Sequence, residues 1–416
     1  MSISPLPYSR FFTSFFNSPG APFARRRLGV ARSLCALAVA GLAATASAVT
    51  PLAINVQDYG AVGNGSTDDS TAIQNAFNAA ATAGKPSVVQ FPYTTSSYLI
   101  NSTLTIGASN IAIDGQNAVL TYTGTAAAID AVLLGGTTYP VNIKLSNLLI
   151  NVQTAGASAT QPTMGIRFRF SHSRMDNVSI ALLASNQTGF VYPGDTNGTG
   201  PYYNLVSKCS VDGHRNIAGW SVTNQKGIVF THNAASTYNS PNANTFIGGR
   251  VGAVDTAWHI EGIGNSILSP TCESIVTTVY EVNNPDDTTN CSDNSLEGGY
   301  VEGYSTASVY VIGSSAVRTY VRPGFMSSVG STIIADNGTD SCILAPGFKQ
   351  NLPLYPNPQI GLNLYKANNT QIFVYYGNPN GSVVGGPGSL CLNLNGGGAT
   401  LYVKQSGTGN TGWVAK

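Results

Sequence analysis

The chain has 416 residues, 43% apolar and only 9% charged, which is enough to bury a core and excludes wholesale disorder. Globular domains average about 25% charged residues, so this poverty of charge, beside 46 Gly and 20 Tyr, points to β structure with Ser, Thr and Asn surfaces. Residues 1–48 hold five Arg and no acid, which leaves 15 of the 20 basic side chains against all 19 acids; that net charge of −4 argues against a nucleic-acid partner.

Residues 1–48 read as an export leader. Arg25-Arg26-Arg27 precedes an apolar run from Leu34 to Ala46, and Ala46-Ser47-Ala48 fits cleavage after small residues. The run is short for a bilayer span, so the expectation is a secreted chain, cleaved near Ala48 and free of the membrane; an uncleaved anchor is the alternative. Cys35 belongs to this leader. Cys209, Cys272, Cys291, Cys342 and Cys391 show no Cys-x-x-Cys metal spacing, and no metal or cofactor is expected. Cys272 with Cys291 is the pair that adjacent coils would bring together; buried, unbridged thiols are the other reading.

Residues 54–80 combine a Gly-rich turn with a short amphipathic pattern. Asp68, Asp69 and Ser70 offer N-cap oxygens, and Ile73, Phe77 and Ala80 share one helical face. Such a helix would cap a solenoid, whose first coil otherwise exposes unpaired backbone groups.

The same stretch carries a resemblance. Asp58-Tyr-Gly-Ala, then Gly-Asn-Gly-Ser-Thr-Asp-Asp and Ala72-Ile-Gln, resembles the opening segment of the pectate-lyase-like superfamily. Val88-Val-Gln-Phe-Pro92, Tyr98-Leu-Ile and Ile111-Ala-Ile-Asp-Gly115 are similar to its next strands. The resemblance covers residues 52–150 and implies a right-handed parallel β-helix, a fold shared by pectinases, other glycan hydrolases and lyases, and phage tailspikes.

From Val141 to Leu344, short β segments alternate with Gly/Asn/Ser turns, and between Asn204 and Glu302 one pattern returns four times. It opens at Asn204, Asn244, Asn265 and Asn294, spaced by 40, 21 and 29 residues. Two positions on come Val206, Phe246, Ile267 and Leu296; seven on, Val211, Val251, Cys272 and Val301; eight on, Asp212, Gly252, Glu273 and Glu302. Repeated short segments that cannot bury their apolar side chains alone predict stacked coils. The expected architecture is all-β: a parallel β-helix over 49–345 with an N-terminal capping helix, and a small β-rich domain over 346–416 beyond the prolines at 346–358.

The C-terminal run Lys404-Gln-Ser-Gly-Thr-Gly-Asn-Thr-Gly-Trp413 resembles segments of phage tail and tailspike-like proteins. That resemblance implies a homotrimer and makes a virion tail the alternative location; a monomeric β cap is the other reading.

The template singles out two acids. Equivalent positions of adjacent coils lie about 4.8 Å apart, so Glu273 and Glu302 are expected to stack near the ~5–5.5 Å carboxyl separation of retaining glycosidases. Two carboxylates so close should push one pKa up, giving an acid beside a base or nucleophile. Asp212 holds the same position earlier, with Gly252 intervening. The 29-residue repeat carries its surplus in Asn283–Asn290, a loop containing Asp286 and Asp287 that would wall a groove. Trp258, Tyr280, Tyr300 and Tyr304 are the candidate faces for stacking on sugars.

A second constellation, Asp212-Gly-His214-Arg215, would suit a polysaccharide lyase, which needs a cation at the uronate carboxylate and a base; a polar turn is the plainer reading. The Gly-His-Gly of polygalacturonases is missing, and Asn284-Pro-Asp-Asp287 lacks the rest of that motif, so pectin specificity is not carried over. The expected function is binding and hydrolysis of a bacterial-surface or plant cell-wall polysaccharide at Glu273 and Glu302. A glycan-binding adhesin or tailspike-like receptor binder, or a lyase, is the alternative.

Overall fold

The chain divides into two units, residues 1–48 and 49–416. The computed structural model describes residues 51–416 apart from 125–129, 136–138, 195–199, 216, 233–239, 285–290, 304–307, 328–333, 344–359, 366–369, 376, 394 and 396–398. The expected leader and the expected boundary at 345/346 lie outside the described residues.

The second unit is built on a right-handed parallel β-helix. A 15-stranded and a 9-stranded sheet run along it, and their strands pair in parallel with the equivalent strands of the next coil. One coil illustrates the rest: Ser266–Leu268 and Thr271–Glu273 lie in the larger sheet, then Thr278–Val282 in the smaller. The bend within the larger sheet falls on left-handed residues, Asn147, Asn177, Lys208, Gly248, Ser269 and Gly298, with φ between 53° and 69°. Asn and Gly tolerate that conformation most readily.

The repeated positions stack in register. Val206 pairs with Phe246, Phe246 with Ile267, and Ile267 with Leu296. Asp212 pairs with Gly252, Gly252 with Glu273, and Glu273 with Glu302. The four Asn form a buried ladder. Nδ2 of Asn204 donates to Oδ1 of Asn244 at 2.9 Å, Asn244 to Asn265 at 3.0 Å, and Asn265 to Asn294 at 3.1 Å. Their remaining amide hydrogens go to the carbonyls of Phe170, Pro201, Pro241 and Gly262. Each Asn thereby satisfies backbone groups that the turn leaves without a sheet partner.

Inside the coils, inward side chains form ring stacks. Phe168 lies 4.3 Å from Tyr192 and Tyr192 4.9 Å from Phe230, while Tyr280 stacks on Tyr310 at 5.0 Å. No disulfide forms among the described residues, so Cys272 and Cys291 are unbridged. Burial pushes the thiols of Cys209, Cys272 and Cys291 up to about 12, which makes them unreactive packing groups.

The first coil is capped by the helix Ser70–Thr82, which buries Ile73, Ala76, Phe77 and Ala80 as the periodicity predicts. At its N-terminus Asp68 Oδ1 accepts the N–H of Ser70 at 3.0 Å, as expected, whereas Asp69 departs from expectation. Asp69 makes no side-chain bond to the helix; its carboxylate instead accepts the amides of Val62 (2.7 Å) and Gly63 (3.0 Å) and pins the Gly-rich turn.

Beyond residue 359 a separate five-stranded sheet runs in the order Ile360–Tyr365, Thr370–Tyr375, Leu390–Asn393, Leu401–Lys404 and Trp413–Ala415. Its core is Phe373, Val383, Cys391 and Trp413. The distinctive Lys404–Trp413 run is a loop wrapped around a buried ammonium: Lys404 Nζ donates to the carbonyls of Gly409 and Thr411 and lies 5.8 Å from the Trp413 ring.

Candidate functional site

The larger sheet presents two outward columns side by side. One runs Ser210, Arg250, Thr271, Tyr300, Phe325; the other runs Asp212, Gly252, Glu273, Glu302, Ser327. Strand alternation makes both face away from the core, whose inward partners are Val211, Val251, Cys272 and Val301.

Glu273 and Glu302 are brought together as register partners. Each also has a neighbour the repeat did not reveal. Arg250 reaches sideways: its Nε and Nη2 both lie 2.9 Å from Glu273 Oε2, and its Nη1 pairs with Asp212. It can do so because Gly252 has no side chain; a Cβ there would meet the guanidinium at 2.8–3.0 Å. Arg250 thus links two acids that lie two coils apart. Asp212, which the intervening Gly252 keeps off the acid pair itself, is thus tied to Glu273 through Arg250.

Glu302 Oε2 accepts a 2.5 Å hydrogen bond from the Tyr300 hydroxyl, which raises the tyrosine's pKa above its ordinary value. On both carboxylates Oε1 has no protein partner among the described residues. The Tyr300 ring stacks on Phe325 at 5.5 Å and 2° between planes, and Phe325 is 58% exposed. A stacked ring pair, half-buried at Tyr300 and exposed at Phe325, therefore adjoins the two acids.

Trp258 and Tyr280 do not belong to this face. Both point inward and are 1% and 2% exposed, with rings 6.4 Å apart in the core. Buried rings cannot stack on a sugar, and they are withdrawn as binding residues. Tyr304, Asp286 and Asp287 lie outside the described residues, as does most of the loop expected to wall the groove.

His214 and Arg215 are engaged in holding their own loop. His214 Nδ1 donates to the Leu182 carbonyl at 2.8 Å, and its ring lies 4.0 Å from that of Trp220. Arg215 pairs with Asp255 at 2.7 Å and donates to the Val222 carbonyl at 2.8 Å. The cation required by the lyase reading is thus already committed.

One further cluster, marked by no motif in the sequence, lies on the outward face of the smaller sheet. His259 lies between two carboxylates, with Nε2 2.7 Å from Glu261 and Nδ1 2.9 Å from Glu281. Burial works to lower the histidine's pKa, but the hydrogen bonds its ring donates to Glu261 and Glu281 outweigh it and raise the value to about 9. Hydrogen bonding to His259 in turn lowers that of Glu281. Among the described residues no group of three or more His, Cys, Asp or Glu side chains is placed to hold a metal ion.

A family model described as "Rhamnogalacturonase A/epimerase, pectate lyase-like" matches residues 53–284. The match includes Asp212, Arg250 and Glu273 and stops before Glu302. No curated protein sequence matches. Among solved structures, ORF18 of Geobacillus virus E2 is 15% identical over 88% of this chain and 75% of its own, with a TM-score of 0.49. PfbA, a surface adhesin of Streptococcus pneumoniae, is 14% identical over 71% of this chain and 77% of its own, with a TM-score of 0.46. The A-module of the Azotobacter vinelandii mannuronan C-5 epimerase AlgE6 is 15% identical over 70% of this chain and 79% of its own, with a TM-score of 0.41.

Proposed function

This chain belongs to the rhamnogalacturonase A/epimerase, pectate lyase-like family, and from that premise we propose that it binds an extended polysaccharide and hydrolyses it at Glu273 and Glu302. The observation that carries this reading is the in-register pairing of the two acids. Coils about 4.8 Å apart bring two outward carboxyl groups close to the separation at which glycosidases use one as acid and the other as nucleophile or base. Arg250 against Glu273 and the Tyr300 hydroxyl on Glu302 hold the two carboxyl groups in place for those roles. The Tyr300–Phe325 pair offers an apolar platform to a sugar face.

Incubation with a panel of bacterial-surface and plant cell-wall polysaccharides tests the reading. New reducing ends without unsaturated sugars are expected. Unsaturated uronate products would replace hydrolysis by elimination, and retention without any cleavage would leave a glycan-binding protein. The engagement of Glu273 by Arg250 favours that binding-only role as the second reading.

In this account the protein works outside the cell or on a virion. Homotrimer formation would use the outward face of the C-terminal sheet. Leu390, Leu392, Leu401, Val403 and Val414 share that face, and Leu392 is 46% and Val414 38% exposed. Sedimentation of Leu392→Lys checks this: a fall from trimer to monomer is expected, and a wild-type monomer would end the idea.

A further inference from the structure

A groove lies on earlier coils, at the leading edge of the larger sheet. It occupies about 760 Å³ and crosses five successive coils, at residues 87–88, 110–112, 142–144, 172–174, and 203 and 205. Four coil-to-coil steps make it about 19 Å long, the length of an oligosaccharide rather than of one ring.

Three features of this groove lack an explanation within the fold. First, Lys144 and Arg174 are register partners on adjacent coils and both are exposed. Like charges placed directly opposite destabilise a sheet, yet no carboxylate forms an ion pair with either among the described residues. The nearest acids along these strands, Asp114 and Asp176, are one column away. They are occupied by Asn147 (3.3 Å) and Ser207 respectively. A pair of unneutralised cations on a chain with net acidic coils calls for an anion from outside.

Second, the turn that feeds this edge needs a left-handed residue in every coil. Asn110, Asn142, Ala243, Gly264, Asp293 and Asp340 meet that need with short side chains, and Arg318 does so while pairing with Asp293. His172 and Tyr203 occupy the same position in adjacent coils at φ 53° and 57°, where a bulky tyrosine is unfavourable. Third, the Tyr203 ring is 61% exposed and lies 5.1 Å from that of His172. The turn position therefore presents two rings to the groove rather than burying them. Asn142 Nδ2, bonded to Asn110 Oδ1 at 3.1 Å, adds an amide edge beside them.

We propose that this groove is a binding site for an anionic polysaccharide, separate from the Glu273–Glu302 face. Lys144 and Arg174 take the carboxylate or sulfate groups of the chain, and the Tyr203 and His172 rings pack against a pyranose face. The proposal rests on the glycan reading for the kind of polymer but not on the acid pair for its site. Its role is capture: it holds a charged chain on the early coils while the later coils remain free to act on it.

The test is retention of the full chain in gels containing polygalacturonate, dextran sulfate or neutral dextran, at low and high salt. Retention by polygalacturonate, by dextran sulfate or by both, lost at high salt and absent with neutral dextran, is expected; the polymer that retains it distinguishes carboxylate from sulfate. Because both cations are exposed, the double variant Lys144→Ala/Arg174→Ala should fold, and its affinity should fall about tenfold or more. Tyr203→Ala should weaken it further at unchanged salt dependence. Glu273→Gln should be retained like the wild type, so loss of hydrolysis and loss of capture are read separately. Equal retention by neutral dextran, equally tight binding of duplex DNA, or an unchanged double variant would overturn the proposal.

Discussion

Arg250 lies across the bare backbone of Gly252, in the space a side chain there would fill. The guanidinium uses that space to hold Glu273 on one side and Asp212 on the other. Gly252→Ala places a methyl group against the end of a flexible, partly exposed side chain, so the unfolding free energy should change by less than about 1 kcal/mol. Hydrolysis should nevertheless fall, by up to about a hundredfold, as Glu273 loses its restraint. Denaturant unfolding and initial rates on the same preparation check the two halves. A large loss of stability would show Gly252 to be a packing residue instead.

The Asn ladder makes a different kind of prediction. Asn265 gives Oδ1 to both the amide N–H and the side chain of Asn244, and its Nδ2 serves Asn294 and the Pro241 carbonyl. Asn265→Ala strands several fully buried polar groups at once and should cost about 2–4 kcal/mol. Thermal unfolding measures this; a change below 1 kcal/mol would mean that water replaces the amide.

His259 links stability to pH. Its folded pKa, raised from 6.5 to about 9, means that the folded state binds the proton more tightly than the unfolded chain. The contribution is therefore complete below about pH 6.5 and is lost as pH rises through 9. The size of the shift corresponds to about 3 kcal/mol. Glu281 shifts the opposite way through the same contact, so its share is lost only as pH falls below the ordinary carboxylate range. Unfolding free energies between pH 6.5 and 9 should decline in the wild type and stay nearly level in His259→Gln. The same slope in both would place the titration elsewhere.

Much of this geometry was legible in the chain. Aligning the four Asn segments predicted the register that pairs Glu273 with Glu302, because a parallel solenoid repeats position for position. Other parts of the site lie in further positions of the same alignment. Arg250 stands two residues before Gly252, in the column of Ser210, Thr271 and Tyr300, from which a long side chain reaches the next column. His259 could have been found by aligning Trp258–Ile260 with Tyr280–Val282, which sets His259 beside Glu281. The same alternation that turns His259 outward turns Trp258 and Tyr280 inward, and so removed them from the site. Lys144 and Arg174 fall on coils without the Asn pattern, where only backbone pairing reveals that they are neighbours.

The central claim is that Glu273 and Glu302 act together on a glycosidic bond. Rates of reducing-end release by Glu273→Gln and Glu302→Gln, on whichever polysaccharide the wild type cleaves, test it most directly. Each substitution should lower the rate roughly a hundred- to ten-thousandfold while leaving the melting temperature close to that of the wild type. Full activity in either folded variant would contradict the assignment.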